Sequence, residues 1–396
     1  MRRRRQLRTT RTRTRARTAP ARTRTRTHAH TPAHAHAHTR TRSARWSQLA
    51  LAVTAFALLA TACGETSSDA AKDDDGGKKS GAYQGKGIGL AYDIGGQGDQ
   101  SFNDAAFSGY ERAREDFGIG GVDMEPGDGE SAADKTQRIE QLARQGYDPV
   151  IGVGFVYAPA IQEVAKKYPK TTFGIVDDNT VQAANVADLV FHEEQGSYLA
   201  GVAAAKASRA RHVGFIGGVD IPIIHKFEAG FVQGVKSVDP KIRIERRYLT
   251  EKPEEGGFSS PDKGQDAASG QLEAGADVVY HAAGLSGQGV IQEAGAQKKW
   301  AIGVDSDQYR QKALAKYKRY ILGSAFKDVG GAVYDLTKSV VRGKPMTGTQ
   351  RYDLRSGRVG FADSNPAYRA RKDIVAAVEK AEKDIINGRV QVRTRP

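Results

Sequence analysis

Between residues 87 and 386, short apolar runs alternate with longer stretches in which apolar side chains recur with a helical period. The apolar runs lie at residues 87–92, 150–153, 172–176, 186–191, 212–216, 242–248, 277–280, 300–304 and 320–324. Continuous apolar strands separated by helices are typical of parallel sheets that are covered by helices on both faces. The alternation therefore predicts an α/β fold.

The βα alternation continues for long enough to predict two doubly wound parallel-sheet lobes joined by a hinge. The roughly 315 residues that follow residue 81 suffice for two separate cores. We expect residues 85–191 to form lobe 1, completed by about residues 306–345, and residues 192–305 to form lobe 2, completed by about residues 346–396. A helix over 370–386 is expected to close the body, followed by a short strand at 389–392.

Cys63 is the only cysteine of the chain, and it follows a short apolar run at residues 49–62. That run is shorter than the roughly 20 residues that a membrane-spanning helix needs, which suits a removable signal. The arrangement resembles a bacterial lipoprotein signal, in which the cysteine is lipidated and becomes the first residue, although Ala60 stands where that pattern usually has Leu. We expect residues 1–62 to be a disordered leader plus signal peptide, and residues 63–84 to be a lipidated tether to the extracytoplasmic face of the cell membrane.

The formal net charge of +14 points to a nucleic-acid partner until the leader is considered separately. Residues 1–45 contain fifteen Arg and no Asp or Glu, which leaves 45 basic and 46 acidic side chains in the rest of the chain. The predicted mature protein is thus nearly neutral, and no nucleic-acid partner is expected.

Polar residues follow several of the predicted strands. In open parallel sheets, ligands bind outside the carboxyl ends of the strands. An Asp after a strand can also form a turn or a helix N-cap, so one such residue indicates little, whereas several from both series predict a binding cleft. These residues are Asp93, Asp177 or its neighbour Asp178, Gly284, Asp305 and Lys327.

Two aromatic residues lie in polar, glycine-rich loops that offer them little core to enter. Phe102 ends the loop that starts at Asp93, and Phe258 lies in the loop after the predicted strand 242–248. An aromatic ring in such a place can stack against a planar base, which is worth about 1–3 kcal/mol. Phe227 is a further candidate, but its position on an amphipathic helix favours core packing.

Several segments resemble the basic membrane protein (BMP) family of ABC-transporter substrate-binding lipoproteins, which includes purine nucleoside receptors. They occur in the family's order over essentially the whole body, at residues 89–104, 215–222, 226–231, 281–284, 302–308 and 324–327. The resemblance implies a type I periplasmic-binding-protein fold, a nucleoside held between the lobes without cofactor or metal, and partners that are the permease and ATPase subunits of an importer.

The resemblance also implies roles for individual residues. Phe102 and Phe258 would flank the base, while Asp93 and Asn103 would line the first-lobe loop. The remaining residues would contact the ribose or close the cleft, and they are Asp177, Gly284, Asp305 and Lys327.

Two alternatives remain open at this point. In an enzyme, Asp93, Asp177 and Asp305 could hold a divalent cation or act as acid and base, although the segments at His192 and at residues 284–289 lack the spacing of zinc, serine-hydrolase or nucleotide-triphosphate motifs. A lipoprotein that senses its ligand without transporting it would use the same cleft.

Overall fold

The computed structural model describes residues 83–127 and 129–396. The predictions for the leader (residues 1–62), for Cys63 and for nearly all of the tether lie outside these residues and stay predictions. Within the described part of the chain, no helix combines the length and the apolar character that crossing a bilayer requires.

Strands and helices alternate along the described residues. The strands are β1 (Ile88–Ala91), β2 (Gly121–Met124), β3 (Val150–Gly152), β4 (Phe173–Val176), β5 (Val186–Phe191), β6 (His212–Val219), β7 (Arg243–Thr250), β8 (Val278–Ala282), β9 (Trp300–Asp305), β10 (Ile321–Lys327), β11 (Gly348–Tyr352) and β12 (Val359–Ala362). The helices are α1 (Phe102–Phe117), α2 (Ala132–Arg144), α3 (Ala158–Lys167), α4 (Glu193–Ala207), α5 (Pro222–Val238), α6 (Pro261–Glu273), α7 (Ser286–Ala296), α8 (Val329–Val341), α9 (Pro366–Ala370) and α10 (Lys372–Ile386).

The strands form two six-stranded sheets, one in each lobe. In lobe 1 the order is β11-β5-β4-β3-β1-β2, and all neighbours are parallel. In lobe 2 the order is β12-β10-β9-β8-β6-β7, with β12 antiparallel to β10 and the other neighbours parallel. The strands β1–β5 and β6–β10 thus occupy corresponding places. The predicted fold class, two doubly wound parallel-sheet lobes, is confirmed.

Pairs of helices cover the sheets, with α1 against α8 and α2 against α3 in lobe 1, and α4 against α5 and α6 against α7 in lobe 2. Glycines allow the closest of these contacts. A Cβ atom on Gly230 or Gly234 of α5 would overlap the backbone of Glu194 or Tyr198 in α4. The close fit fixes α4, which directly follows the last strand of the first β-series, onto lobe 2.

The chain passes between the lobes three times, and the second and third passages differ from the sequence prediction. Lobe 1 was expected to be completed by residues 306–345, yet β10 pairs with β9 in the lobe 2 sheet. The passage back comes one element later, where α8 packs on α1. β11 then pairs with β5 in lobe 1, although residues 346–396 were assigned to lobe 2. Because β10 pairs with β9, the strand directly before it, it extends the parallel sheet of lobe 2. The chain therefore returns to lobe 1 only at the next element, α8.

The prediction of a short strand at residues 389–392 is wrong. Its backbone forms hydrogen bonds with the side chain of Gln233 on α5 and does not pair with a strand. Gln233 Nε2 donates to Gln391 O (3.0 Å), and the following Arg393 N donates to Gln233 Oε1 (2.8 Å). The segment therefore runs along α5 as an extended tail.

Candidate functional site

A cavity lies between the lobes at the carboxyl ends of the strands, where the switch-point rule places ligands. The empty space within it is about 550 Å³, part of which is open to solvent. All eight residues predicted to bind ligand line it: Asp93, Phe102, Asn103, Asp177, Phe258, Gly284, Asp305 and Lys327.

The loop over residues 93–103, here called the ligand loop, is fixed by the side chain of Asp99. The Asp99 carboxylate accepts hydrogen bonds from the backbone N–H groups of Ser101 (2.8 Å), Asn103 (2.9 Å) and Asp104 (3.2 Å). It thereby satisfies the N–H groups left free at the start of α1. Sequence reasoning missed Asp99, although an Asp just before a helix is a recognisable capping signal.

Asn103 cannot turn freely within the cavity wall. Its Nδ2 donates to Asp99 (3.1 Å), and its Oδ1 accepts from Asp93 N (2.9 Å). The two bonds fix the amide in one orientation, so the ligand loop presents a defined polar surface to the cavity.

The Asp93 carboxyl faces Gly154 across the cavity wall. Burial raises the pKa of Asp93 to about 7, against a hydrogen bond from Ile94 N that lowers it. A Cβ atom on Gly154 would overlap the Asp93 carboxylate, and Gly154 also has a φ of 99°. Glycine is therefore required there, but only the folded structure shows why.

Asp177 and Asp305 lie at the ends of the corresponding strands β4 and β9 and share a rare backbone conformation. Their φ angles are 65° and 62°, in the left-handed region that costs most L-residues about 1–2 kcal/mol. Asp178, the alternative to Asp177, is absent from the cavity wall and bonds to Thr180 in a turn. Strained residues of this kind cluster at functional sites.

Lys327 is the cation of a buried charge cluster. Its Nζ forms an ion pair with Asp177 of the opposite lobe and lies 3.9 Å from Asp305, with the Lys327 side chain only 4% exposed. Burial opposes the charged amine, but Asp177, Asp305 and Glu193 outweigh it and raise the pKa of Lys327. Lys327 therefore stays protonated and holds the two lobes together electrostatically.

Glu193 belongs to the same cluster and was missed by the sequence analysis. It begins α4 at the first passage between lobes, and its Oε2 accepts from Lys226 Nζ (3.1 Å). Burial raises the pKa of Glu193, and its Oε1 has no hydrogen-bond partner among the described residues. Three carboxylates thus surround Lys327 from both sides of the cleft.

Among the described residues, four phenylalanines line the cavity. Phe102 comes from lobe 1 and Phe258 from lobe 2, and both were predicted. Phe227 packs in the core, as its helical pattern suggested, but also reaches the cavity. Phe155 was missed, because the short helical turn after β3 shows no periodic pattern in the sequence. Aromatic faces and buried hydrogen-bonding groups from both lobes therefore meet in one space.

The lobes touch directly beside this cavity. Ser101 Oγ of the ligand loop donates to Asp305 Oδ2 (2.6 Å), and Gln288 Nε2 of α7 donates to Gly98 O (2.9 Å). Ser306 Oγ donates to Gln100 O (3.1 Å). The structure is thus the closed form of a two-lobed cleft.

Two observations on the described residues bear on the enzyme alternative. No three His, Cys, Asp or Glu side chains in that part of the chain lie close enough to hold a metal ion. Ser286 of the segment at residues 284–289 is fully buried and accepts from Ser260 N (2.9 Å). What the site offers is hydrogen bonding, charge and aromatic stacking.

The fold and the cleft define a two-lobed solute-binding protein. The sequence model of the Bmp family, described as ABC transporter substrate-binding protein PnrA-like, matches residues 89–395. The chain belongs to this family, as the resemblance indicated.

Curated relatives and solved structures agree with this assignment. The CD4+ T-cell-stimulating antigen of Listeria innocua is 36% identical over 354 residues, which cover 85% of this chain and 94% of the relative. The ABC transporter nucleoside-binding protein BmpA of Lactococcus lactis is 36% identical over 323 residues (77% and 88%). An uncharacterized lipoprotein of Pyrococcus horikoshii is 34% identical over 296 residues (71% and 70%). The solute-binding protein of an Aeropyrum pernix ABC transporter superposes with a TM-score of 0.68 at 27% identity, covering 78% of this chain and 93% of that one.

Proposed function

We propose that this substrate-binding protein captures a nucleoside, with a purine as the preferred base, between its two lobes and delivers it to an ABC permease. The observation that carries the proposal is the meeting of aromatic rings with a buried cluster of carboxylates around one lysine in a single closed cavity. A relative at 36% identity bears the name nucleoside-binding protein. A nucleoside has a flat apolar base and a ribose with vicinal hydroxyls, which match these two kinds of surface.

The proposed roles follow from the chemistry of each group. Phe102 and Phe258 flank the base, because both residues line the cavity, one from each lobe. Asp177 and Asp305 accept hydrogen bonds from ribose hydroxyls, and the ammonium of Lys327 donates to a ribose oxygen. Gly284, with a φ of 52°, allows the backbone to approach the ligand without a side chain. Asp93 and Asn103 present the polar edge of the ligand loop.

Binding is proposed to occur without chemical conversion. A ligand that contacts both lobes favours the closed state by its differential affinity for that state. The closed protein, held near the membrane by lipid on Cys63 and the tether after it, is the form that the permease would recognise. Two or more acyl chains at one cysteine give stable anchoring where one chain does not.

The ligand assignment is tested by thermal shift and calorimetry on the full chain with purine and pyrimidine nucleosides, free bases, riboflavin and sugars. A nucleoside at a hundred times its dissociation constant should add about 2.7 kcal/mol of stability. Mass spectrometry of the released ligand should return it unchanged. Absence of a shift with every nucleoside would refute the assignment, and a converted product would indicate an enzyme.

Two substitutions test the site directly. Phe102→Ala should weaken nucleoside affinity by about 1–3 kcal/mol through lost stacking. Phe107→Ala is the matched control, since Phe107 lies on the same helix but stacks on Tyr110 outside the cavity. Equal effects of the two changes on affinity would place the base elsewhere.

Anchoring and delivery need separate measurements. The mass of the mature amino terminus should show acyl chains on Cys63, and Cys63→Ser should release the protein from membranes. Cells that lack the protein should take up less labelled nucleoside, and expression of the intact chain should restore uptake. Normal uptake without the protein would favour a sensing role.

A further inference from the structure

We propose that Gln308 is a positioning residue that latches the ligand loop of lobe 1 onto lobe 2, with its side-chain amide oriented by His281 and by the backbone of Val304. The inference rests on the proposed closure of the cleft around a ligand, but it concerns contacts that contain no ligand atom. The latch sets how closed the protein is before a ligand arrives.

The amide of Gln308 is held at both ends. The side chain is fully buried, and its Oε1 accepts from Val304 N (3.0 Å) and from His281 Nε2 (3.0 Å). A backbone N–H can only donate, so Oε1 must face Val304. Nε2 must then point the other way, where it donates to Gln100 O of the ligand loop (3.0 Å).

His281 is suited to orient that amide. It is fully buried, its Nδ1 has no hydrogen-bond partner among the described residues, and burial lowers its pKa to about 4. The imidazole is therefore neutral near pH 7 with its proton on Nε2, where it points at Gln308. Gly287 leaves room for the ring, since a Cβ atom there would overlap it. The ring thus has one position and one useful donor.

The receiving carbonyl on lobe 1 is also fixed. Gln100 has a left-handed φ of 57°, and its N–H donates to Asp104 Oδ2 (3.0 Å). This conformation turns the Gln100 carbonyl towards lobe 2, where it accepts from both Gln308 Nε2 and Ser306 Oγ. Two donors from one lobe therefore converge on one acceptor of the other.

The latch is coupled to the ligand site through the chain itself. Gln100 lies two residues before Phe102 and three before Asn103, and both of these line the cavity. Docking of the Gln100 carbonyl therefore places the ring and amide that are proposed to meet the ligand. Loss of the latch should raise the open fraction of the protein and weaken ligand binding by the factor by which the closed fraction falls.

The test measures the distance between the lobes in the absence of ligand. Cys63→Ser leaves the full chain without cysteine, so spin labels can be attached at Glu163→Cys on α3 and Asp266→Cys on α6, both exposed. Pulsed electron resonance then gives the open and closed populations. Gln308→Glu keeps the oxygen that faces Val304 but replaces the donor that faces Gln100.

We expect Gln308→Glu to raise the open-to-closed ratio about threefold to tenfold, the range that one hydrogen bond supplies. The ratio should fall again as pH falls, because the protonated carboxyl regains an O–H donor. Ser306→Ala should shift the same ratio in the same direction by a smaller factor, and it keeps the test decisive if the first variant does not fold. Gln265→Ala, which removes a bond within lobe 2 only, should leave the ratio unchanged.

Unchanged distance distributions in Gln308→Glu and Ser306→Ala would overturn the latch. Repeating the distance measurements on the same samples with added inosine distinguishes failure of the latch from failure of the proposed function. If inosine closes neither the unsubstituted chain nor the variants while the ligand-free shifts are present, the latch stands and the nucleoside assignment fails. If inosine closes all of them equally and the ligand-free shifts are absent, the nucleoside assignment stands and the latch fails.

Discussion

The two lobes share one framework but bring different chemistry to the cleft. Their first five strands have the same order, and in each lobe an Asp in the left-handed conformation ends the fourth strand: Asp177 after β4 and Asp305 at the end of β9. The framework therefore places a carboxylate at the same point on both sides of the cleft.

The lobes differ at the ends of their first and fifth strands. In lobe 1, β1 leads into the polar ligand loop with Asp93, Asp99 and Asn103 in the cavity wall. In lobe 2, β6 leads to the start of α5, whose apolar side chains form the opposite wall, namely Ile223, Ile224 and Phe227. The fifth strand of lobe 1 ends in Phe191, whereas that of lobe 2 ends in Lys327.

This difference shows how one framework can build an asymmetric site. Lobe 1 supplies most of the acceptors, while lobe 2 supplies the cation and most of the apolar surface. Asp177 of lobe 1 finds its ion-pair partner, Lys327, across the cleft, and an isolated charge in a low-dielectric site would be costly. Closure therefore completes the electrostatics of the site as well as its shape.

The largest expected effect comes from removing the cation. Lys327→Met leaves buried Asp177 without its ion-pair partner and removes the positive charge beside Asp305 and Glu193. The change should cost about 3–5 kcal/mol of unfolding free energy at pH 7. The loss should shrink as pH falls, because burial raises the pKa of Asp305 and its protonation removes uncompensated charge. Urea titration of the full chain at several pH values measures both.

A surface lysine provides the control for this change. Lys380 pairs with Asp384, but its side chain is 78% exposed. Lys380→Met should therefore change the unfolding free energy by less than about 0.5 kcal/mol. Similar losses for the two variants would show that lobe 2 is not the electrostatic partner of lobe 1.

The second largest expected effect is the pH dependence that Asp93 of lobe 1 gives to the stability of the protein. Asp93 has a pKa of about 7 in the folded protein against an ordinary value of 3.8. Between these values the folded state keeps a proton that the unfolded state has released, so stability falls as pH rises. Asp93→Asn cannot ionise. From pH 4 to 8, the stability of the unsubstituted chain relative to this variant should fall by up to about 4 kcal/mol. A constant difference in urea titrations would contradict it.

The third effect tests the shared framework. At Asp177 and at Asp305, the Gly variant should be more stable than the Ala variant by about 1–2 kcal/mol, because glycine adopts a positive φ without strain. At each position the Gly and Ala variants both lack the carboxylate, so their difference in stability reports the backbone conformation. At Asp178, which has no positive φ, Gly should be the less stable of the two. Opposite signs at Asp177 and Asp305 in thermal unfolding would break the correspondence between lobes.

A site residue could be predicted from the sequence where its position follows from the residues around it in the chain. Asp93, Asp177 and Asp305 follow apolar strands, and the rule for parallel sheets then brings them together without further information. Phe102 and Phe258 were predicted because an aromatic ring in a polar loop has little local core to enter, and both line the cavity.

The residues that were missed owe their places to long-range packing. Glu193 looks like an ordinary acidic residue in the first turn of a helix, and only the passage of α4 to lobe 2 buries it beside Lys327. The exchange of β10 and β11 between lobes was missed for a related reason. Which sheet a strand joins depends on partners far away in the chain, which apolar periodicity does not encode.

The smallest expected effect concerns Asp220, which follows β6 as the loop of Asp93 follows β1. Its side chain is 50% exposed and bonds to His225 Nε2 (2.6 Å), outside the cavity. Asp220→Asn should change nucleoside affinity by less than about twofold and the unfolding free energy by less than about 0.5 kcal/mol, since exposed pairs contribute little. Calorimetry measures the affinity and urea titration the unfolding free energy of Asp220→Asn, with Asp93→Asn measured in parallel. A loss of nucleoside affinity of about tenfold or more in Asp220→Asn would mean that lobe 2 also binds the ligand through the end of its first strand, and the asymmetry between the lobes would be wrong.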